Sequence, residues 1–264
     1  MLISTNILKN DHSSFNYIVT NNTQSIYTQV TDALFKKVSC FNLIGSYGTG
    51  KSSFLVAMES TFIGKTQYFL GTKIPKRPHF IKVIGDPKQS LRTLLSKTLN
   101  VEDSVEAVTD SITALTQTKD AVFIIIDEFG KCLEYALLNN PKEETYFFQQ
   151  IAETVNDLGS CVLITTQHQN FDAYTAGASE SDAVEWEKVS GRFTPINFNE
   201  PPETLIKLAV PTLKKFGNKE KVTRVLNKIL SDTRLLPVGY SSALKEKEVK
   251  VNPLDGITSY VVIS

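Results

Sequence analysis

One segment, Gly45-Ser-Tyr-Gly-Thr-Gly-Lys51-Ser52, constrains this chain more than any other. It lies between a short apolar run, Cys40 to Ile44, and a helical pattern, Ser52 to Ile63. It fits GxxxxGK[ST] at every defined position. Glycines let the backbone turn so sharply that successive N–H groups point at one place, and the helix that follows adds the positive end of its dipole. The result is a cradle for phosphate oxygens, with a strand behind it and a helix in front. A glycine-rich surface turn would account for the glycines. It would not account for Lys51-Ser52 or for the flanking elements.

The rest of the chain has the same grammar. Short β-branched runs alternate with longer helical patterns, which predicts an α/β domain built on a parallel sheet. Residues 1–24 read as polar and irregular, with a turn at Asn21-Asn22, and 25–38 as a helix. Strands are expected at 40–44, 79–84, 121–126, 160–166 and 192–198, and helices at 52–63, 90–99, 104–115 and 143–158. The run AVFIII at Ala121 to Ile126 has no polar residue, as in a strand covered on both faces at the centre of a parallel sheet. Pro201-Pro202 then punctuates the chain. Two more helices are read at 203–216 and 219–230, followed by a tail that ends in YVVIS. The expected division is therefore an α/β domain over 1–199, and a partial helical lid and tail over 200–264.

Lys+Arg and Asp+Glu are both 28, so the chain is not a basic glove for nucleic acid. Lys73, Lys76, Arg77 and Lys82 cluster around Pro75 and Pro78, and a solvated loop explains them better than a nucleic-acid patch. No apolar stretch approaches the length of about 18 residues that a membrane span needs, and the first residues lack the pattern of a secretory signal. Cys40, Cys132 and Cys161 are sparse and form no CxxC, so buried reduced thiols in a cytoplasmic protein are expected.

The central run ends in Asp127-Glu128. Adjacent carboxylates at a buried strand end are costly unless a cation or hydrogen bonds compensate. In combination with the loop, Asp127 and Ser52 are expected to hold Mg2+, and Lys51 to bridge the terminal phosphates. Glu128 is placed to take a proton from an attacking water. The backbone cradle comprises Gly45, Ser46, Tyr47, Gly48, Thr49, Gly50, Lys51, Ser52 and Ser53.

One strand, at 79–84, falls between the loop strand and the acidic strand. An inserted strand, together with a glutamate after the aspartate, resembles the additional-strand, catalytic-glutamate branch of P-loop ATPases. Beyond the loop, TTQHQNF at Thr165 to Phe171 and EWEKVSGRF at Glu185 to Phe193 resemble AAA+ ATPases, in which Gly-Arg-Phe often precedes the fifth strand. The strings together are similar to ATP-binding domains of large bacterial AAA+ and STAND-like proteins, including those of anti-phage defence. The resemblance covers roughly 15–230. It implies a three-layer α/β P-loop NTPase fold with a mainly parallel five-stranded sheet in the order 5-1-4-3-2, and a short C-terminal helical lid. It implies ATP and Mg2+ as ligands, and Thr166, with His168 as second choice, as the polar group at the fourth strand's tip (sensor 1). It implies Arg192 as an arginine finger for a neighbouring copy, hence a homo-oligomer formed through the Arg192 face, with an effector protein as a further partner.

Plainer readings stand beside these. A lone loop histidine such as His168 is usually structural. Arg192 would serve equally well in an ion pair, and Trp186 in packing its helix on the core. Phe15, Tyr17 and Tyr27 fit either adenine contact or a hydrophobic staple on the first helix. The leading function is ATP hydrolysis coupled to conformational change or assembly. A nucleotide-dependent oligomerisation switch with little turnover is the first alternative, and a DNA-engaging loader or helicase-like ATPase the second. No NKxD-type guanine reader is present, which favours ATP over GTP.

Overall fold

The computed structural model describes residues 6–8, 17–34, 39–71, 75–177, 179–200 and 204. In chain order the elements are α1 (Asn21–Ala33), β1 (Cys40–Ile44), α2 (Lys51–Phe62), β2 (Pro78–Ile84), α3 (Leu91–Leu99), α4 (Val105–Thr118), β3 (Ala121–Asp127), α5 (Phe129–Leu138), α6 (Pro141–Asp157), β4 (Cys161–Gln167), α7 (Phe171–Thr175), α8 (Glu180–Ser190) and β5 (Thr194–Asn197). The strands form one sheet in the order β2-β3-β4-β1-β5, and every pairing is parallel. Read from the other edge, this is the expected order 5-1-4-3-2.

Strand alternation sorts the core into two layers. Phe123 and Ile125 of β3, Val162 and Ile164 of β4, and Phe41 and Leu43 of β1 pack on one side with Tyr27 of α1 and Phe54 and Met58 of α2. Val122, Ile124 and Ile126, with Cys161 and Leu163, face the other side, where Phe129, Phe148, Ile151 and Trp186 cover them. All seven residues of β3 are buried. At roughly 1.5–3 kcal/mol for each large apolar side chain fully removed from water, this strand anchors the domain. Trp186 is 2% exposed and packs beside Phe148, so it fills core as expected of it.

Several expectations are corrected. Asn21-Asn22 is not a turn but the first turn of α1, because Thr20 and Thr23 form a reciprocal capping box. α5 and α7 were not read from the sequence. α5 abuts the most apolar strand with only Glu128 between, and its start is set by a backbone reversal rather than by a side-chain cap. Tyr27 is fully buried and stacks on Phe69 with ring centroids 4.4 Å apart, so it belongs to the core and not to an adenine contact. Tyr17 lies edge-on to Tyr68. In the basic cluster, Arg77 pairs with Asp120 at 3.0 Å and Lys82 with Glu59 at 2.9 Å, so two of the four cations are neutralised within the fold. Phe15 and Lys73 lie outside the described residues.

The three cysteines are free and buried, and burial pushes the thiols of Cys40 and Cys132 up to about 12. Among the described residues, no helix is long and apolar enough to cross a membrane. The chain divides into a unit over Met1–Asn199 and another over Glu200–Ser264. The helices and tail read at 203–264 lie outside the described residues.

Candidate functional site

The carboxyl ends of parallel strands open onto one edge of the sheet, where α/β proteins place their ligands. β1 leaves the sheet there through the loop Gly45–Gly50. Gly48 and Gly50 have φ of +77° and +94°, a region that side chains make costly. Thr49 ties the turn to the Ser46 carbonyl with its hydroxyl at 2.9 Å. The Ser46 N–H donates to Asn199 Oδ1 at 3.2 Å. Ser46, Tyr47 and Gly48 are exposed, whereas Lys51 is only 6% exposed. The Lys51 ammonium donates to the carbonyls of Gly45 and, at 3.0 Å, Ser46. Burial pulls its pKa down, against the opposing pull of Asp127 and Glu128. It is thus a buried cation whose direct hydrogen bonds go to neutral carbonyls of its own loop. That arrangement favours an incoming anion.

Side-chain parity explains why the acidic pair meets this loop. Asp127 continues the alternation Phe123, Ile125, and Thr166 continues Val162, Ile164, so both turn to the α2 side of the sheet. There Ser52 Oγ donates to Asp127 Oδ2 at 2.7 Å, across 75 positions of sequence. Thr166 Oγ1 donates to Asp127 Oδ1 at 2.6 Å and accepts the Glu128 N–H at 2.9 Å. Thr166 is therefore occupied in orienting the acidic pair. Ser53 is half-buried one residue further along α2.

Glu128 has φ of +56°, an uncommon conformation for a residue with a side chain. The reversal ends β3 and starts α5. It is enclosed by Gly85 after β2, whose N–H donates to the Asp127 carbonyl at 2.7 Å. A Cβ on Gly85 would stand 2.3 Å from the Glu128 carbonyl oxygen, so only glycine allows this approach. The Glu128 carboxylate is in contact with the ammonium of Lys131.

His168 follows β4. Its ring stacks on Tyr47 of the loop, and its Nδ1 is buried with no partner. Burial, and then the charge of Lys51, hold its pKa below the usual imidazole range. The loop, Asp127, Glu128, Thr166 and His168 are thus brought together. Arg192 is not brought to this loop. It precedes β5, whose Thr194 pairs with Phe41 near the start of β1, while the loop begins after the other end of β1. Its guanidinium is held by Glu153 of α6 and donates to the Lys188 carbonyl at 2.8 Å. The sequence reading missed Asn199, Gly85 and Lys131. A polar residue or glycine just beyond a strand's carboxyl end is the signal that points to the first two.

Among the described residues, no group of three or more His, Cys, Asp and Glu side chains could hold a metal ion. Ser52 and Asp127 supply two oxygens at the loop, which suits a hard cation completed by phosphate oxygens and water.

No family model and no curated protein matches the chain. Solved structures do resemble it. The Walker-type ATPase paby2304 of Pyrococcus abyssi gives a TM-score of 0.50 at 12% identity, over 80% of this chain and 63% of its own. AMPPCP-bound DnaA from Aquifex aeolicus gives 0.45 at 17% identity, over 88% and 67%. C. elegans PCH-2 gives 0.40 at 14% identity, over 80% and 51%, so this chain spans about half of that one. The chain has the three-layer α/β fold of P-loop NTPases. At these identities the likeness is one of fold.

Proposed function

We propose that this chain binds ATP with Mg2+ in the loop Gly45–Ser53 and hydrolyses it, using the cycle to drive conformational change or assembly. The observation that carries this reading is the meeting of Ser52 with Asp127 at 2.7 Å, beside the buried Lys51. The loop's N–H groups and Lys51 hold the phosphates. Ser52 and Asp127 hold Mg2+, which supplies positive charge to the phosphate oxygens. Thr166 fixes the Asp127 carboxylate and the Glu128 backbone, and Glu128 takes the proton of the attacking water. His168, whose ring stacks on Tyr47 of the loop while the Thr166 hydroxyl is engaged with Asp127 and Glu128, is the better placed of the two sensor 1 candidates to read the terminal phosphate.

Arg192 completes the site of a neighbouring copy in this reading, since it lies away from its own loop. The motif strings further support a module of a larger bacterial protein of the defence type, acting with an effector partner. The test is ATP hydrolysis against protein concentration for wild type, Lys51→Ala and Arg192→Ala. Specific activity that rises with concentration and vanishes in both variants is expected. Activity independent of concentration and unchanged by Arg192→Ala would remove the finger and leave a self-contained ATPase.

A nucleotide switch with little turnover is the second reading. It is favoured by one pair of contacts: Glu128 is held by Lys131 and Arg192 by Glu153, so two groups that turnover needs are both engaged. ATP binding and ATP-dependent assembly without hydrolysis, both abolished by Lys51→Ala, would decide for it.

A further inference from the structure

Tyr47 occupies one of the four positions that the loop motif leaves undefined. The phosphate cradle does not call for an aromatic ring there, because backbone N–H groups make the cradle. The residue is 79% exposed, so it fills no core either. Its ring is nevertheless engaged. It lies on the imidazole of His168, with ring centroids 3.3 Å apart and an interplanar angle of 27°.

The two rings come from two walls of the candidate site. β1 and β4 run side by side, with Ile44 opposite Gln167. The Gly45 N–H donates to the Gln167 carbonyl at 3.1 Å and joins the two chains at their root. Beyond this rung one chain becomes the loop, and the other passes through His168 to α7. Tyr47, three residues past Ile44, and His168, one residue past Gln167, meet across that opening. An imidazole that acts through one nitrogen is ordinarily oriented by a hydrogen bond at the other. His168 has no such bond, since its Nδ1 is buried without a partner. The torsion that turns an imidazole has only a broad preference of its own, so the ring plane needs an outside constraint. A stacked aromatic face provides one.

We propose that Tyr47 is a positioning residue: its ring holds the His168 imidazole in the plane from which Nε2 meets the terminal phosphate of a nucleoside triphosphate, and the stack persists when the loop is filled. This rests on the reading of the loop as a nucleotide site and of His168 as the group that reads the terminal phosphate.

Two measurements on the full chain test it. The first is the proton NMR signal of the His168 ring Hε1, assigned with His168→Ala. A stacked phenol ring should shift it upfield in wild type. Tyr47→Leu should abolish that shift, Tyr47→Phe should keep it, and saturation with AMPPNP and Mg2+ should leave it in place. A signal indifferent to Tyr47→Leu, or a shift that AMPPNP removes, would overturn the proposal. The second is a double-mutant cycle on affinity, with AMPPNP and ADP, each with Mg2+, titrated into wild type, Tyr47→Leu, His168→Ala and the double variant. His168→Ala is expected to weaken AMPPNP by about tenfold, the scale of one hydrogen bond to a charged group. Tyr47→Leu should weaken it by about three- to tenfold, the scale of one aromatic pair, with a much smaller effect on ADP. Tyr47→Phe should recover most of the loss. In the His168→Ala background, Tyr47→Leu should change AMPPNP affinity by less than about twofold. A Tyr47→Leu effect that persists without His168, or that is equal for both nucleotides, would overturn the positioning role. The underlying reading fails separately. AMPPNP binding unaffected by Lys51→Ala refutes the loop as the nucleotide site, and binding unaffected by His168→Ala refutes the phosphate contact; either outcome takes the proposal with it, while the NMR signal of the unliganded protein still judges the stack.

Discussion

A buried carboxyl outside the site sets a pH dependence of folding that can be worked through. Glu144 lies in the first turn of α6 and is 5% exposed, with Oε2 lacking any hydrogen-bond partner. Burial pushes its pKa from 4.5 up to about 7; Arg92 and the Leu91 N–H oppose this, and Glu143 and Asp103 add to it. Arg92 is already paired with Asp103 at 2.8 Å, so it offers Glu144 only part of its charge. Because the folded pKa lies above the unfolded one, the folded chain binds more protons between pH 4.5 and 7. Stability therefore falls as pH rises through that window and has fallen fully above about 7. At about 1.4 kcal/mol per unit, the fall attributable to this one group is on the order of 3 kcal/mol as an upper bound. Glu144→Gln keeps the size and the acceptor for Leu91 and removes the titration. Urea unfolding of both proteins at pH 5 and pH 8 is the assay, and the difference between them isolates Glu144 from every other titrating group. Wild type should lose about 2–3 kcal/mol more than the variant between the two pH values. Parallel pH slopes would refute the reasoning, because they would mean that the carboxyl is solvated or charged throughout.

Two further outcomes follow from packing. Gly85→Ala would drive a Cβ against the Glu128 carbonyl and must displace the strand end or the acidic pair. ATP hydrolysis is expected to fall at least about tenfold while ADP affinity, which depends on the loop, changes little. Trp186→Ala removes a side chain buried beside Phe148 and should destabilise by about 3–5 kcal/mol in urea. Trp186→Phe should cost much less, since the indole Nε1 has no partner to lose.

How much of this was legible in the sequence depends on whether the information was local. The loop is local: glycines, lysine and serine stand at fixed spacing between a strand and a helix, and the structure holds them there. The sheet order was legible for a different reason: the single strand inserted between loop and acidic run resembles one branch of P-loop ATPases, and that resemblance implies the order. The choice of Thr166 over Thr165 was also within reach, because parity alone sends Thr166 to the side of Asp127 and Ser52. Thr165 goes instead to the opposite face, where it bonds Asn42 at 3.0 Å. What the sequence hid is long-range or conformational. Glu153 lies 39 residues before Arg192, and nothing in either neighbourhood announces their pairing. Glu144 sits in the first turn of a helix, a place where acids are favoured while solvated, so its burial against α3 has no local mark. α5 was hidden by its own start, since Glu128 opens it through a positive φ and not through a serine or threonine cap. The same reversal carries the base at the end of β3 into a helix whose first turn holds Lys131, and so places a cation against it. A tighter cap would have given a clearer helix signal and a different neighbour for Glu128.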